Sequence, residues 1–297
     1  MLKEIRKRDG EIVPFQQEKI AEAICKALEA TKTPDAEKIA ARLAKYSPTE
    51  ITFDKTLLNE EDQKVLDKLV AAARFMDDIF WKQTDPTGFP LLEALQKSKQ
   101  PWAPEYLHFV KINFGPFDIQ DENKAFIGFA QKLAGAGFYP PDLTKKEFED
   151  YVAAHPEQKE TLESPYTVIK RSGGDLVAVP YNVEYKMELE PAAAALREAG
   201  EITSNPSLKA YLLQRAQDLL SNDYYKSDCL WIDLKNNLVE TVIGPFEVYD
   251  DSRMGLKASY ESFVYINDRE EMKKITGYLN YLEELQQNLP VEPKYKD

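Results

Sequence analysis

The sequence is poor in the residues that carry most recognisable enzyme chemistry. It has 2 histidines and 2 cysteines in 297 residues. The histidines, His108 and His155, lie in LHFVKI and AAHPEQ, and neither belongs to an HExxH motif. Cys25 and Cys229 are too far apart in sequence to share a short metal-binding spacing, and so few thiols fit a reducing, cytoplasmic setting. No GxSxG, GxxxxGK[ST] or GxGxxG string occurs, so the sequence offers no nucleophile elbow, Walker loop or dinucleotide fingerprint. No run approaches 18 apolar residues, so no membrane-spanning helix is expected. The opening MLKEIRKRDGE has no apolar core of the kind a signal peptide carries.

What is present is charge and aromatic mass. The chain is 43% hydrophobic with 14 Phe and 16 Tyr, enough for a substantial core. Net charge is −13, unevenly spread. Residues 1–45 hold 10 Lys/Arg against 8 Asp/Glu, whereas the remainder holds 28 against 43. An acidic body repels phosphate backbones, so neither nucleic acid nor membrane is expected as a partner. It suits a ligand with a positive amine, and it equally suits a solvated surface.

The pattern along the chain predicts an α+β fold of mixed helices and antiparallel strands. Asp9-Gly10 between two short runs marks a hairpin, and 16–30 carries a helical stripe, followed by a helix begun at Thr33-Pro34. Asn59 caps a long helix with acids in its first turn. The stretch 101–125 reads as strand-like around a Gly-Pro turn, with His108 as a core or edge histidine. Thr144 opens a capping box, Gly173-Gly174 centres a hairpin, and Pro191 marks a break or new start in a helix. CLWIDL reads as a strand with Cys229 in the core, and a last helix runs from Arg269 to Leu289.

VIGPFEVYDDSRMG is read as a strand that turns at Gly244-Pro245. Glu240, Glu247, Asp250 and Asp251 flank that corner, and carboxylates so gathered can hold a peptide α-amine by charge-assisted hydrogen bonds. A solvated acidic loop is the other reading. NFGPFD at 113–118 repeats the frame G-P-F-[DE], either as a matching corner of one sheet or by coincidence.

Longer ordered strings carry a family resemblance. SPTEITFD, FVKINFGPFD, SPYTVIK, SNPSLKAYLLQRAQDLLSNDYY, NDYYKSDCLWIDL and LVETVIGPFEVYDDSRMGLKASYESFVYIND resemble the dipeptidyl peptidase III family, zinc metallopeptidases of the M49 type. The likeness spans roughly 46–297 and is nearest to the branch found in bacteria and fused to plant Nudix hydrolases. It implies a two-lobed peptidase that releases dipeptides from peptide N-termini. It also implies zinc held by a His-Glu-x-x-His helix, with the motif's Glu activating water. That helix is not in this sequence, so the resemblance implies the N-terminal, substrate-side part only. No catalytic residue, bound metal or activity is then expected of the chain alone, and the partners expected are a peptide substrate and the zinc-bearing C-terminal part. The family's cleft stretch maps onto Glu240, Glu247 and Tyr249, with Asn222 and Tyr225 as further substrate contacts. The alternatives are a non-catalytic peptide-binding protein and a nucleotide-responsive regulator.

The regulator reading rests on residues 1–45. Lys7, Arg8, Asp9, Gly10, Phe15, Lys19 and Ile20 reproduce the frame of the ATP-cone, a nucleotide-binding module of ribonucleotide reductases and their repressor. The resemblance is to a partial cone ending near residue 45. It implies ATP or dATP held by Lys7, Arg8 and Lys19.

Overall fold

In a computed structural model, the structure describes residues 4–6, 12–14, 36–128 and 131–296. Its strands are β1 (Glu4–Arg6), β2 (Ile12–Pro14), β3 (Phe117–Asp118), β4 (Lys124–Ala125), β5 (Thr167–Ser172), β6 (Asp175–Pro180), β7 (Val239–Glu247) and β8 (Ser259–Ile266). They form four separate two-stranded sheets, β1-β2, β3-β4, β5-β6 and β7-β8. The helices are α1 (Ala36–Leu43), α2 (Glu60–Thr84), α3 (Gly88–Lys97), α4 (Ala103–Asn113), α5 (Lys145–Ala154), α6 (Lys159–Glu163), α7 (Tyr181–Glu184), α8 (Lys186–Ile202), α9 (Pro206–Ser221), α10 (Tyr225–Ile232), α11 (Arg269–Leu279) and α12 (Leu282–Gln287). Mixed helices with short antiparallel strands make this an α+β fold, as the sequence pattern indicates.

Local chemistry accounts for several boundaries. Asn59 Oδ1 accepts from Asp62 N at 2.9 Å and Asp62 returns a bond to Asn59 N at 3.2 Å, which closes the start of α2. Thr144 caps α5 by accepting from Glu147 N at 3.1 Å. β5 and β6 are antiparallel with Ser172 opposite Asp175, so the Gly173-Gly174 turn is where the sequence put it. β1 pairs antiparallel with β2, Arg6 opposite Ile12. The Asp9-Gly10 turn, the stripe at 16–30, Cys25 and the Thr33-Pro34 start lie outside the described residues.

Other expectations are overturned. The stretch expected to be strand-like is largely helix: α4 buries Tyr106, Phe109, Val110 and Asn113, an i, i+3, i+4, i+7 face that outweighs its aromatic and β-branched composition. His108 is exposed on that helix. CLWIDL falls in α10, with Cys229 exposed; Asp218 accepts from Ser227 N at 3.1 Å and Asp228 pairs with Arg215, which hold this turn of chain as helix against α9. α8 runs through Pro191 without a break. Pro191 has no N–H to donate to the Met187 carbonyl one turn back, and Met187 lies on an exposed part of the helix, 70% exposed. The last helical stretch is two helices, parted at Asn280-Tyr281.

The chain divides into two compact units. The first holds Met1–Ile51, Phe75–Leu189 and Gly244–Glu261. Part of its core gathers Ile39, Trp81, Leu95, Phe109, Val110 and Ile127. Elsewhere in it, Tyr181, Tyr185 and Tyr260 meet at ring-centroid distances of 5.3–6.0 Å. Buried Gln83 uses its amide as a strand would, accepting from Tyr260 N at 2.7 Å and donating to Ala258 O. The second unit holds Thr52–Arg74, Glu190–Ile243 and Ser262–Asp297. Leu69, Leu196, Leu208, Leu212 and Leu219 are buried there. Buried Arg215 lies over the rings of Tyr211 and Tyr224 at 5.6 and 5.4 Å.

Candidate substrate-binding site

β7 carries the stretch singled out in the sequence, and it does not turn at Gly244-Pro245. The strand is continuous from Val239 to Glu247, and Asn267 N donates to Leu238 O at 2.8 Å where it pairs with β8. Alternate residues Val239, Thr241 and Ile243 are buried. Gly244 then takes φ +146, a backbone L side chains avoid, and both Gly244 and Pro245 are buried. Ile243, Gly244 and Pro245 are buried in a row, which interrupts the alternation, and Glu240 before them and Glu247 after them both lie on partly open positions. Gly115 in the matching G-P-F-D frame has φ +156. The echo is a shared backbone conformation, although β3 and β7 belong to different sheets.

In the second unit, Glu240 is half-buried and held from two sides. Its Oε2 accepts from Asn237 Nδ2 at 3.2 Å and from Asn267 Nδ2 at 3.0 Å. Asn267 Nδ2 also donates to Asn237 O at 3.0 Å, so the carboxylate is set by the β7-β8 ends rather than by a flexible loop. Two neutral amide donors leave the carboxylate's charge uncompensated and open to a cation. Asn222, also in this unit, ends α9 in the left-handed conformation at φ +66, its N–H donating to Asp218 O at 2.9 Å. Tyr225 starts α10 with its ring 79% exposed.

In the first unit, Glu247 and Tyr249 come together. The Tyr249 hydroxyl titrates above its ordinary range, first because Glu247 hydrogen-bonds it and then because of that carboxylate's charge. Glu261, which sequence reasoning did not single out, belongs with them. Burial raises its carboxyl above the usual range, and the Glu247 and Asp250 charges push the same way. Ser259 Oγ donates to Asp250 at 2.9 Å. Glu261 lies 14 positions from Glu247 in sequence, and only the return of the chain along β8 brings them near, so strand-face alternation within β7 could not find it.

Asp251 leaves the group of binding acids. It is 2% exposed, and its carboxylate accepts from the backbone N–H groups of Arg253, Met254, Leu256 and Lys257 at 2.9–3.2 Å, and from the Tyr139 hydroxyl at 2.8 Å. It is the structural centre of the loop. Lys257, fully buried beside it, donates Nζ to Leu162 O and Ser164 O at 2.7 Å and to Thr167 Oγ1 at 2.8 Å. Burial pushes its pKa down to about 7, against the raising charges of Asp251 and Glu163.

The described residues do not fit zinc. No group of three or more His, Cys, Asp or Glu among them could hold a metal ion. His155 stacks on Tyr151 at 4.1 Å and its Nδ1 lies 2.9 Å from Tyr151 O at the end of α5, half-buried rather than free in solvent. Lys7, Arg8 and Lys19 lie outside the described residues. No helix among those described is long and apolar enough to cross a membrane.

The family model for Peptidase family M49 matches residues 141–297, and that for the ATP cone domain matches 3–72. The chain is similar to the structure of DPP III from Caldithrix abyssi, with a TM-score of 0.83 and 44% identity over 87% of this chain and 49% of that one. It is similar to dipeptidyl-peptidase III from Corallococcus sp. strain EGB, with a TM-score of 0.82 and 37% identity over 88% and 49%. It is also 33% identical to Nudix hydrolase 3 of Arabidopsis thaliana over 307 residues, covering 86% of this chain and 40% of that protein. The chain spans about half the length of the solved relatives and less of the plant one.

Proposed function

The chain belongs to peptidase family M49, and from that premise we propose that it is the substrate-side portion of a zinc-dependent dipeptidyl peptidase. In this reading it receives the free N-terminus of a peptide, and the zinc-bearing residues come from a further portion of polypeptide. The observation that carries the reading is Glu240: a half-buried carboxylate, oriented by Asn237 and Asn267, with no cationic side chain paired to it among the described residues. Such a group receives an ammonium by charge-assisted hydrogen bonds, each worth about 1.5–3 kcal/mol. Asn222 and Tyr225, in the same unit as Glu240, line that peptide terminus, and Glu247 with Tyr249 is a separate candidate for polar contact within the first unit. Among the described residues no set could hold a metal ion, and in this reading the chain binds and orients the peptide while the further portion supplies the zinc chemistry.

Calorimetry with a short peptide, free or acetylated at its N-terminus, tests this. The free peptide binds about tenfold more tightly, a difference of about 1.4 kcal/mol, and Glu240→Gln removes that preference. Equal binding of the two peptides by the unaltered chain overturns the assignment of Glu240.

The ATP cone match favours one additional activity. Lys7, Arg8 and Lys19 hold ATP or dATP, and millimolar nucleotide raises the melting temperature by mass action. A Tm shift that is absent, or unchanged by Lys7→Ala, ends that reading.

A further inference from the structure

Every position from Asp268 to Tyr295 is exposed. That segment is nonetheless patterned for burial. Met272, Ile275 and Leu279 recur at spacings of three and four, on one face of α11. Beyond the break at Asn280-Tyr281, α12 carries Leu282 and Leu285 at a spacing of three, and Leu289 follows it. All six side chains are 45–56% exposed. Helices of 11 and 6 residues are marginal in water without tertiary packing, so this face is built to be covered.

The chemistry separates the possible covers. A membrane surface calls for a basic polar face. Here Lys273 and Lys274 pair with Glu270 and Glu271 at 2.7 and 2.5 Å, and over 268–279 the acids Asp268, Glu270 and Glu271 balance the bases Arg269, Lys273 and Lys274, so there is no excess positive charge. A second copy joined as a coiled coil needs three or more uninterrupted heptads, and the break at Asn280-Tyr281 limits α11 to fewer than two. The third cover is polypeptide of the family itself. The stripe lies inside the M49 match, and the solved relatives are about twice as long as the stretch they share with this chain.

We propose that the Met272–Leu289 stripe is the docking face for the polypeptide portion that corresponds to the unmatched half of the dipeptidyl peptidase III relatives. The proposal rests on the substrate-side reading above and says which surface that reading uses. Docking through a half-buried apolar stripe also explains why its flanking charges are neutralised within the helix.

The test is copurification. The 297-residue chain is co-expressed with a tagged portion of the Caldithrix abyssi enzyme comprising the half this chain does not match. The unaltered chain is retained in equal stoichiometry, and Ile275→Glu with Leu279→Glu lowers retention at least tenfold. Retention that the double substitution leaves unchanged overturns the docking face, as does no retention of the unaltered chain. Because a double substitution can perturb folding, a benzoylphenylalanine photoprobe placed at Tyr278 gives a second measurement. It cross-links to the tagged portion; cross-links solely to a second copy of the chain overturn the proposal. Dipeptide release by the copurified complex is read separately. A complex held through the stripe that releases no dipeptide sinks the substrate-side reading while the docking face stands.

Discussion

The loop from Asp250 to Lys257 and the segment from Asp268 to Tyr295 follow each other closely in sequence, but the loop buries two charged side chains, Asp251 and Lys257, whereas every position of the segment is exposed. In the first, one carboxylate gathers four backbone N–H groups and a tyrosine hydroxyl, and one ammonium satisfies three oxygens. In the second, helices form, cap and carry ion pairs, yet bury no side chain. Polar residues supply the fixed structure of the loop, and apolar residues supply the open surface of the segment. Hydropathy alone would assign the two the other way round. A buried charge is tolerated only where its partners are complete, and an apolar stripe stays open only where its partner is elsewhere.

The largest effect expected from breaking this contrast is at Asp251. Asp251→Ala strips five donors of their acceptor and removes a negative charge that favours the protonated Lys257. The expected loss is at least about 3 kcal/mol, since a buried donor left unsatisfied costs about 1–3 kcal/mol and several are stranded together, read as a lower urea midpoint with an unchanged m-value. A loss below about 1 kcal/mol would show that the loop is held by something other than its carboxylate.

Lys257 gives the next effect, and it is visible in pH. Its folded pKa of about 7 lies below the unfolded value near 10.5. Between those values the unfolded chain holds a proton that the folded chain has released, so stability rises with pH. The penalty is fully present below pH 7 and is relieved as pH climbs, at up to about 1.4 kcal/mol per pH unit. Denaturant midpoints taken from pH 7 to 9.5 should rise for the unaltered chain and stay flat for Lys257→Met. A flat profile in both would mean that the ammonium stays charged among its three oxygens.

How far the sequence reveals this depends on the range of the interactions. Caps at Asn59 and Thr144 and the Gly173-Gly174 turn are local chemistry, and they are legible. The family strings carry the fold class and the peptidase relationship. α4 and α10 look like strands in the sequence because aromatic and β-branched residues in short runs favour strand by composition, whereas burial face and long-range pairing such as Arg215–Asp228 decide for helix. Within the candidate site, Glu240 and Glu247 are visible as acids on a strand. Glu261 and the structural role of Asp251 are not, because both depend on how the chain folds back after residue 251. The continuation of β7 through Gly244 is likewise hidden, since a Gly-Pro pair signals a turn as readily as a kink in a continuing strand.

The smallest effect is at the open segment, and its smallness is what sharpens the contrast. Ile275→Glu with Leu279→Glu places two charges where water already reaches the side chains, 51% and 53% exposed. Surface substitutions of this kind change stability by less than about 0.5 kcal/mol each. In the chain alone, the urea midpoint should therefore barely move while copurification with the unmatched half is lost. Stability and association would then separate cleanly: the loop is held by its own polar groups, and the segment is ordered by what docks on it. If the two substitutions instead cost several kcal/mol in the isolated chain, the stripe is already covered from within, and the difference between the two regions is one of packing partner rather than of burial.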